Sequence, residues 1–202
     1  MTLATIADGL RFPEGPVALP DGSVVLVEIA AGRISRVRAD GTIETVAEPG
    51  GGPNGLALGP DGMLYCCNNG GFEYFEHPAG LLIPHGQAHD YSGGRIERID
   101  PATGAVEILY RDGDFGCVLR GPNDIVFDSH GGFWFTDHGK TRHRERDVTG
   151  IFYAKADGTH LEEVIFPSEN PNGIGLSPDG RRLYVAETYT CRLMAFDITA
   201  PG

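Results

Sequence analysis

The chain has 202 residues and a formal net charge of −12, with 30 glycines and 14 prolines. That acidity argues against a nucleic-acid groove or an anionic membrane surface as the main partner, because both need a basic footprint. Turn formers at this density, with no sustained apolar period near 3.6, argue against a helical architecture. Cys66, Cys67, Cys117 and Cys191 contain no C-x-x-C pair and are too scattered for a disulfide scaffold, so they read as small buried hydrophobes. The first residues lack a basic segment followed by a long apolar core, and no apolar run reaches membrane-spanning length, so a cytoplasmic protein is the expectation.

In sequence order, residues 2–6 read as a lone strand. Four times thereafter a proline, an oxygen-bearing residue and a small or turn-forming residue open a short apolar run: Pro13-Glu14-Gly15, Pro53-Asn54-Gly55, Pro122-Asn123-Asp124 and Pro171-Asn172-Gly173. The first repeat gives strands at 17–19, 24–27, 33–37 and 42–46, separated by Asp21-Gly22, Ala31-Gly32 and Asp40-Gly41. Asp-Gly between β-branched runs is a hairpin signal because glycine accepts positive φ without steric cost. The second repeat gives 56–58, 64–67, 95–99 and 106–109, interrupted by an aromatic, proline-bearing insertion at 72–91. The third gives 125–127, 133–136, 151–154 and 161–165, with a charged detour at 138–149, and the fourth gives 174–176, 183–186 and 192–196.

Four antiparallel strands per repeat make a propeller blade. The expected fold is therefore an all-β propeller in a single domain over 1–202, with blades near 11–48, 51–112, 120–167 and 169–202. Four blades are fewer than a closed ring usually holds, so the sequence reads as an incomplete ring, a truncated product or fragment of a longer protein. Residues 2–6 would be the outer strand of a further blade, and two copies could pair through the open blade edges.

The innermost strand of each blade lines the axis, which puts Glu14, Asn54, Asn123 and Asn172 at one register around the channel mouth. Fourteen residues on lie Glu28, Asn68 and Asp137, and fifteen on lies Glu187, at the end of the returning strand. Eight oxygen-bearing side chains on one face, without thiolates, suit one hard divalent cation, Ca²⁺ first, with Mg²⁺, Mn²⁺ or Zn²⁺ open. The bland alternative is that each asparagine only bonds the backbone of its own turn. Glu14 departs from that pattern, since a turn gains nothing from a carboxylate.

Both insertions join the second and third strands of their blades, on the face of the channel mouth, where each could form a lid. Tyr74, Phe75, His85, His89, Asp90 and Tyr91 would shape a pocket in the first. In the second, His138, Lys140, Arg142, His143, Arg144 and Arg146 form the basic cluster of an acidic protein, either a solvated loop or a funnel for an anion. Arg120 is a better-placed donor to a substrate oxygen, and Trp134 and Phe135 read as core.

At Phe12-Pro13-Glu14-Gly15-Pro16, Gly121-Pro122-Asn123-Asp124, 133–139 and 171–180 the sequence resembles the SMP-30/gluconolactonase/luciferin-regenerating enzyme family of six-bladed propellers, over essentially its whole length. The resemblance implies a single divalent metal, with Glu14 and Asn172 as ligands. It implies that Asn123 contacts substrate and, in some relatives, the metal, and that Arg120 lies near the substrate-binding arginine. The family's remaining ligand, an aspartate that is also its proposed base, would lie in the blade after the Pro171 repeat, beyond Gly202. Asp137 is the reserve candidate for the base within these 202 residues.

The expected function is a metal-dependent lactone hydrolase of the gluconolactonase kind, opening a sugar-derived lactone to its hydroxy acid, with activity of the 202-residue product in question. The alternatives are a non-catalytic propeller scaffold or inert fragment, and a hydrolase of other esters.

Overall fold

The computed structural model describes residues 3–202, in seventeen strands and two short 3-10 turns. The first blade is β1 (Pro13–Ala18), β2 (Val24–Glu28), β3 (Arg33–Val37) and β4 (Ile43–Ala47), paired antiparallel in that order. The second is β5 (Pro53–Leu58), β6 (Leu64–Asn68), β9 (Arg95–Ile99) and β10 (Val106–Arg111), with a separate two-stranded ribbon, β7 (Phe72–Glu76) and β8 (Leu82–Gln87), inserted between β6 and β9. The third is β11 (Pro122–Phe127), β12 (Gly132–Asp137), β13 (Thr149–Lys155) and β14 (Leu161–Ser168). The fourth has three strands, β15 (Pro171–Leu176), β16 (Arg182–Glu187) and β17 (Arg192–Asp197).

The turns between first and second strands are the Asp-centred ones. In each blade an aspartate carboxylate accepts the backbone N–H two residues on: Ser23 to Asp21 at 3.1 Å, Met63 to Asp61 at 3.1 Å, His130 to Asp128 at 2.7 Å and Arg181 to Asp179 at 3.2 Å. Such a bond gives the backbone its own local partner where the ladder ends.

The core lies between blades. Val25, Val27 and Ile34 of the first blade meet Leu56, Leu64 and Ile99 of the second, and Tyr65 and Ile96 of the second meet Ile125, Phe133 and Phe152 of the third. Trp134, Ile151 and Tyr153 of the third meet Leu183 and Val185 of the fourth. Strand alternation divides β12 between two cores: Phe133 and Phe135 face the second blade while Trp134 faces the fourth. Phe135 stacks on Phe152 with centroids 5.0 Å apart, and Trp134 meets Tyr153 at 4.9 Å. The same alternation buries Cys66 in one core and Cys67 in the next, and burial pushes both thiols well above their ordinary range. Cys117 is also buried, but Cys191 is exposed, in a left-handed turn, and departs from the buried reading.

Two further expectations are corrected. The inner strands begin at the prolines, three or four residues before the apolar runs, because each carries a bulge shortly after its proline that the apolar pattern conceals. Residues 3–6 form no strand, and Leu3 and Ile6 are exposed, since no neighbouring strand among the described residues offers them a ladder; Thr2 lies outside the described residues. No helix among the described residues is long and apolar enough to cross a membrane.

Candidate functional site

The four inner strands stand side by side, β1 against β5, β5 against β11 and β11 against β15. Their bulges make this possible. A β-carbon on Gly15 would come within 2.7 Å of the Asn54 carbonyl, and one on Gly55 would collide with the Asn123 carbonyl and Asp124. Glycine is therefore required where backbone meets backbone. In the third blade Asp124 replaces it and reaches across, its carboxylate accepting the Ile174 N–H at 2.9 Å, and burial raises its pKa.

This packing brings the expected inner circle together. Glu14, Asn54, Asn123 and Asn172 all line one cavity of about 460 Å³, with Phe12 and Ile29 beside them. Asn54 and Asn123 are each 7 % exposed, whereas Glu14 and Asn172 are open to solvent. The local hydrogen bonds bypass the three asparagine amides. Thr136 Oγ1 donates to the Asn172 backbone carbonyl at 2.6 Å, and the Asp124 N–H donates to Thr136 Oγ1 at 3.1 Å. Among the described residues Glu14 accepts only its neighbour Gly15's N–H, at 3.3 Å. One carboxylate and three unengaged amides, without thiolate or histidine in the circle, fit a hard cation. No three His, Cys, Asp or Glu side chains cluster as a metal site among the described residues.

The second set of oxygens does not join them, which corrects the eight-oxygen reading. Glu28, Asn68, Asp137 and Glu187 pair directly opposite Pro13, Pro53, Pro122 and Pro171. Proline has no N–H for the ladder, and each opposing side chain instead accepts an N–H from just before the proline. Glu28 takes the Arg11 N–H at 2.7 Å and Asn68 the Gly52 N–H at 2.9 Å. Asp137 takes Arg120, Gly121 and Gly139 at 2.7, 2.8 and 2.8 Å, and Glu187 takes Glu169 at 3.1 Å. All four are buried clamps. Burial pushes the Asp137 carboxyl up to about 6 against the pull of its three amides. At Glu187 burial also raises the pKa, but bonds from Thr190, Glu169, Arg192 and Ser168 outweigh it and hold the carboxyl at about 2. Asp137, the reserve base, is thus occupied as a clamp outside the cavity lining.

The ribbon and the 138–149 loop roof the cavity. Phe72, Pro84, His85 and Gly86 come from the ribbon, His138, Gly139 and Thr141 from the loop, and Tyr189 from the turn after β16. Of the other first-insertion candidates, Tyr74 packs on Phe12, Phe75 and His89 face an outer groove, and Tyr91 donates to the Arg120 carbonyl at 2.6 Å. The Arg120 side chain pairs with Asp112 at 2.8 Å and does not line the cavity. The basic cluster is largely neutralised: Arg142 pairs with Asp147, and Arg146 with Glu169 at 2.9 Å. His138, Thr141 and Tyr189 escaped the sequence reading as cavity residues. The available signal was alternation, since Ile29 and His138 each directly follow a buried clamp and turn the opposite way. Burial lowers the His138 pKa, favouring the neutral imidazole.

Lys140 is buried between the two insertions. Its Nζ donates to the Gly71 carbonyl at 2.8 Å and Asn69 Oδ1 at 3.0 Å and lies 3.9 Å from the Phe72 ring centroid, and burial pulls its pKa down to about 7. Above that value the folded protein holds the neutral amine while the unfolded polypeptide stays protonated up to its ordinary 10.5, so stability rises with pH across that window. Thermal midpoints measured from pH 7 to 10 should therefore climb more for the wild type than for Lys140→Met. Parallel profiles would show that the buried amine does not titrate there.

The family model described as the SMP-30/gluconolactonase/LRE-like region matches residues 12–202. A gluconolactonase from Zymomonas mobilis is 26 % identical over 92 % of this chain and 51 % of its own length, and the lactonase drp35 of Staphylococcus haemolyticus is 29 % identical over 96 % and 53 %. The solved gluconolactonase from Xanthomonas campestris superposes with a TM-score of 0.74 at 24 % identity, covering 98 % of this chain and 62 % of that one, and shares its propeller fold. The protein thus spans about half the length of the relatives it matches in sequence. With the family's pattern matched from Phe12 to the last residue and four propeller blades behind it, the chain belongs to the SMP-30/gluconolactonase/LRE-like family.

Proposed function

We propose that this chain forms the oxygen-lined part of a metal-dependent lactone hydrolase that opens a sugar-derived lactone to its hydroxy acid. The observation that carries the reading is the convergence of Glu14, Asn54, Asn123 and Asn172 on one cavity, with no hydrogen bond to the three asparagine side-chain amides among the described residues. Glu14 and Asn172 would hold the ion, with Asn123 between metal and substrate. A divalent cation, Ca²⁺ first, would polarise the lactone carbonyl and stabilise negative charge on its oxygen as water adds. Glu14 supplies the circle's negative charge. The asparagines offer both a carbonyl and an N–H₂, so the same side chains that face a cation can hold substrate hydroxyls in register. Phe12, Phe72 and Tyr189 line the same cavity and would face the substrate's apolar surface. In the net reaction water adds to the carbonyl carbon, the ring C–O bond breaks, and the ring oxygen takes up a proton.

The test is metal content after exhaustive dialysis, followed by acid release from D-glucono-1,5-lactone above its spontaneous rate, with and without EDTA. Bound Ca²⁺ and chelator-sensitive acid release are the expected results. A folded protein that retains no cation and does not respond to added Ca²⁺ would remove the metal-dependent reading.

A further inference from the structure

Phe12 holds a backbone conformation that its own side chain resists. Its φ is +60°, and among the described residues it is the only non-glycine lining the cavity with positive φ. For a bulky residue this is an outlier, because the β-carbon crowds the backbone there. The residue before the proline in the fourth blade, Asn170, is also left-handed, at +53°. Asparagine tolerates that region, and here its amide donates to the His138 carbonyl at 2.6 Å. The corresponding residues of the second and third blades, Gly52 and Gly121, are not left-handed. Where the left-handed turn does recur, in the fourth blade, asparagine fills it, so the phenyl ring of Phe12 must be explained by something other than the backbone.

The ring is fixed from behind. Tyr74 packs against it with centroids 5.5 Å apart, Phe72 meets Tyr74 edge-on at 6.3 Å, and Lys140 Nζ lies over Phe72. The hydroxyl of Tyr74 is buried without a hydrogen-bond partner among the described residues. A strained backbone and an unsatisfied buried hydroxyl at one stretch of cavity wall mark a place where local stability has yielded to another requirement. We propose that Phe12 determines specificity: its ring is the apolar platform on which a cyclic substrate lays its C–H face while the substrate's oxygens meet Glu14 and the asparagines. This rests on the lactone reading above, and it predicts preference for a ring over a linear molecule bearing the same hydroxyls.

The experiment is calorimetric titration, in calcium chloride, with D-glucono-1,5-lactam, a hydrolysis-resistant cyclic analogue, and with D-gluconamide, its linear counterpart. The wild type should favour the lactam. Phe12→Gly removes the ring's packing on Tyr74 and the neighbouring core together with the backbone strain, so its thermal midpoint should fall while it stays folded at 25 °C; it should keep its Ca²⁺ affinity, yet lose about tenfold in lactam affinity, the scale of one aromatic contact. Phe12→Tyr should bind the lactam as the wild type does. Unchanged lactam affinity in Phe12→Gly overturns the inference. So does a parallel fall in lactam and Ca²⁺ affinity, which would mean that Phe12 only holds Glu14 in place. A wild type that binds Ca²⁺ but neither analogue removes the lactone reading itself, and this inference with it.

Discussion

Replacing Glu14 by glutamine is expected to weaken Ca²⁺ binding on the order of a hundredfold while leaving the metal-free fold intact. The inner circle holds a single carboxylate among amides, so the substitution removes the circle's negative charge and conserves its shape. Two opposite unit charges about 4 Å apart near a protein surface attract by about 4 kcal/mol at an effective dielectric of 20, and the double charge of Ca²⁺ doubles that before desolvation offsets most of it. Ca²⁺ affinity in oxygen cages follows the number of charged ligands. Stability should barely change, because the exposed Glu14 side chain bonds only to its own neighbour. Calorimetric titration of dialysed protein at low salt gives the affinity, and a thermal melt gives the stability. Glu28→Gln is the control: it disturbs a buried clamp outside the cavity lining, so it should lower the melting temperature and spare the metal. Equal Ca²⁺ affinities for wild type and Glu14→Gln would dismiss the circle as a cation site.

Asp137→Ala should be the most destabilising of the substitutions considered. Three backbone N–H groups, from Arg120, Gly121 and Gly139, converge on one buried carboxylate. Removing it strands donors in a protein interior, at roughly 1–3 kcal/mol each. The sum, about 3–6 kcal/mol after partial relaxation, rivals the whole stability of an ordinary domain. Asp137→Asn keeps one acceptor oxygen and should lose less. Urea unfolding of both variants orders them. An Asp137→Ala protein with an unshifted midpoint and no hydrolysis would instead return Asp137 to the role of base.

The two results separate sets of oxygens that are hard to distinguish in the sequence. Spacing places both at the same end of their blades, and it does so correctly. Spacing does not show that the residue opposite a proline must serve the backbone: Glu28 and Asp137 turn inward to amides left without ladder partners, whereas Glu14 and Asn123, behind their bulges, turn to the axis. The bulges themselves are hidden, because an extra residue in a strand leaves the apolar pattern intact. By contrast the blades were legible, since Asp-Gly turns and β-branched runs recur through the repeats and β9 begins and ends where the pattern says. The roof was legible only as composition. Lys140 was visible as one charge in a basic loop, and nothing local indicates that it inserts between Asn69 and the Phe72 ring. The turn-capping alternative for the asparagines turns on contacts rather than on residue types, and among the described residues their side-chain amides make no bond to the turns they open.

Each clamp closes on backbone of its own blade at the proline end of the inner strand, and Asn68 and Asp137 also hold the first turn of the connection that follows, through the Gly70 and Gly139 N–H groups. Floor and roof are thus joined at those first turns, and beyond them the ribbon of β7 and β8 bonds to no clamp among the described residues. That ribbon can lengthen, shorten or be exchanged without pulling on a clamp. A scaffold wired in this way can reshape its cavity through changes in one segment, with the oxygens beneath inherited unaltered.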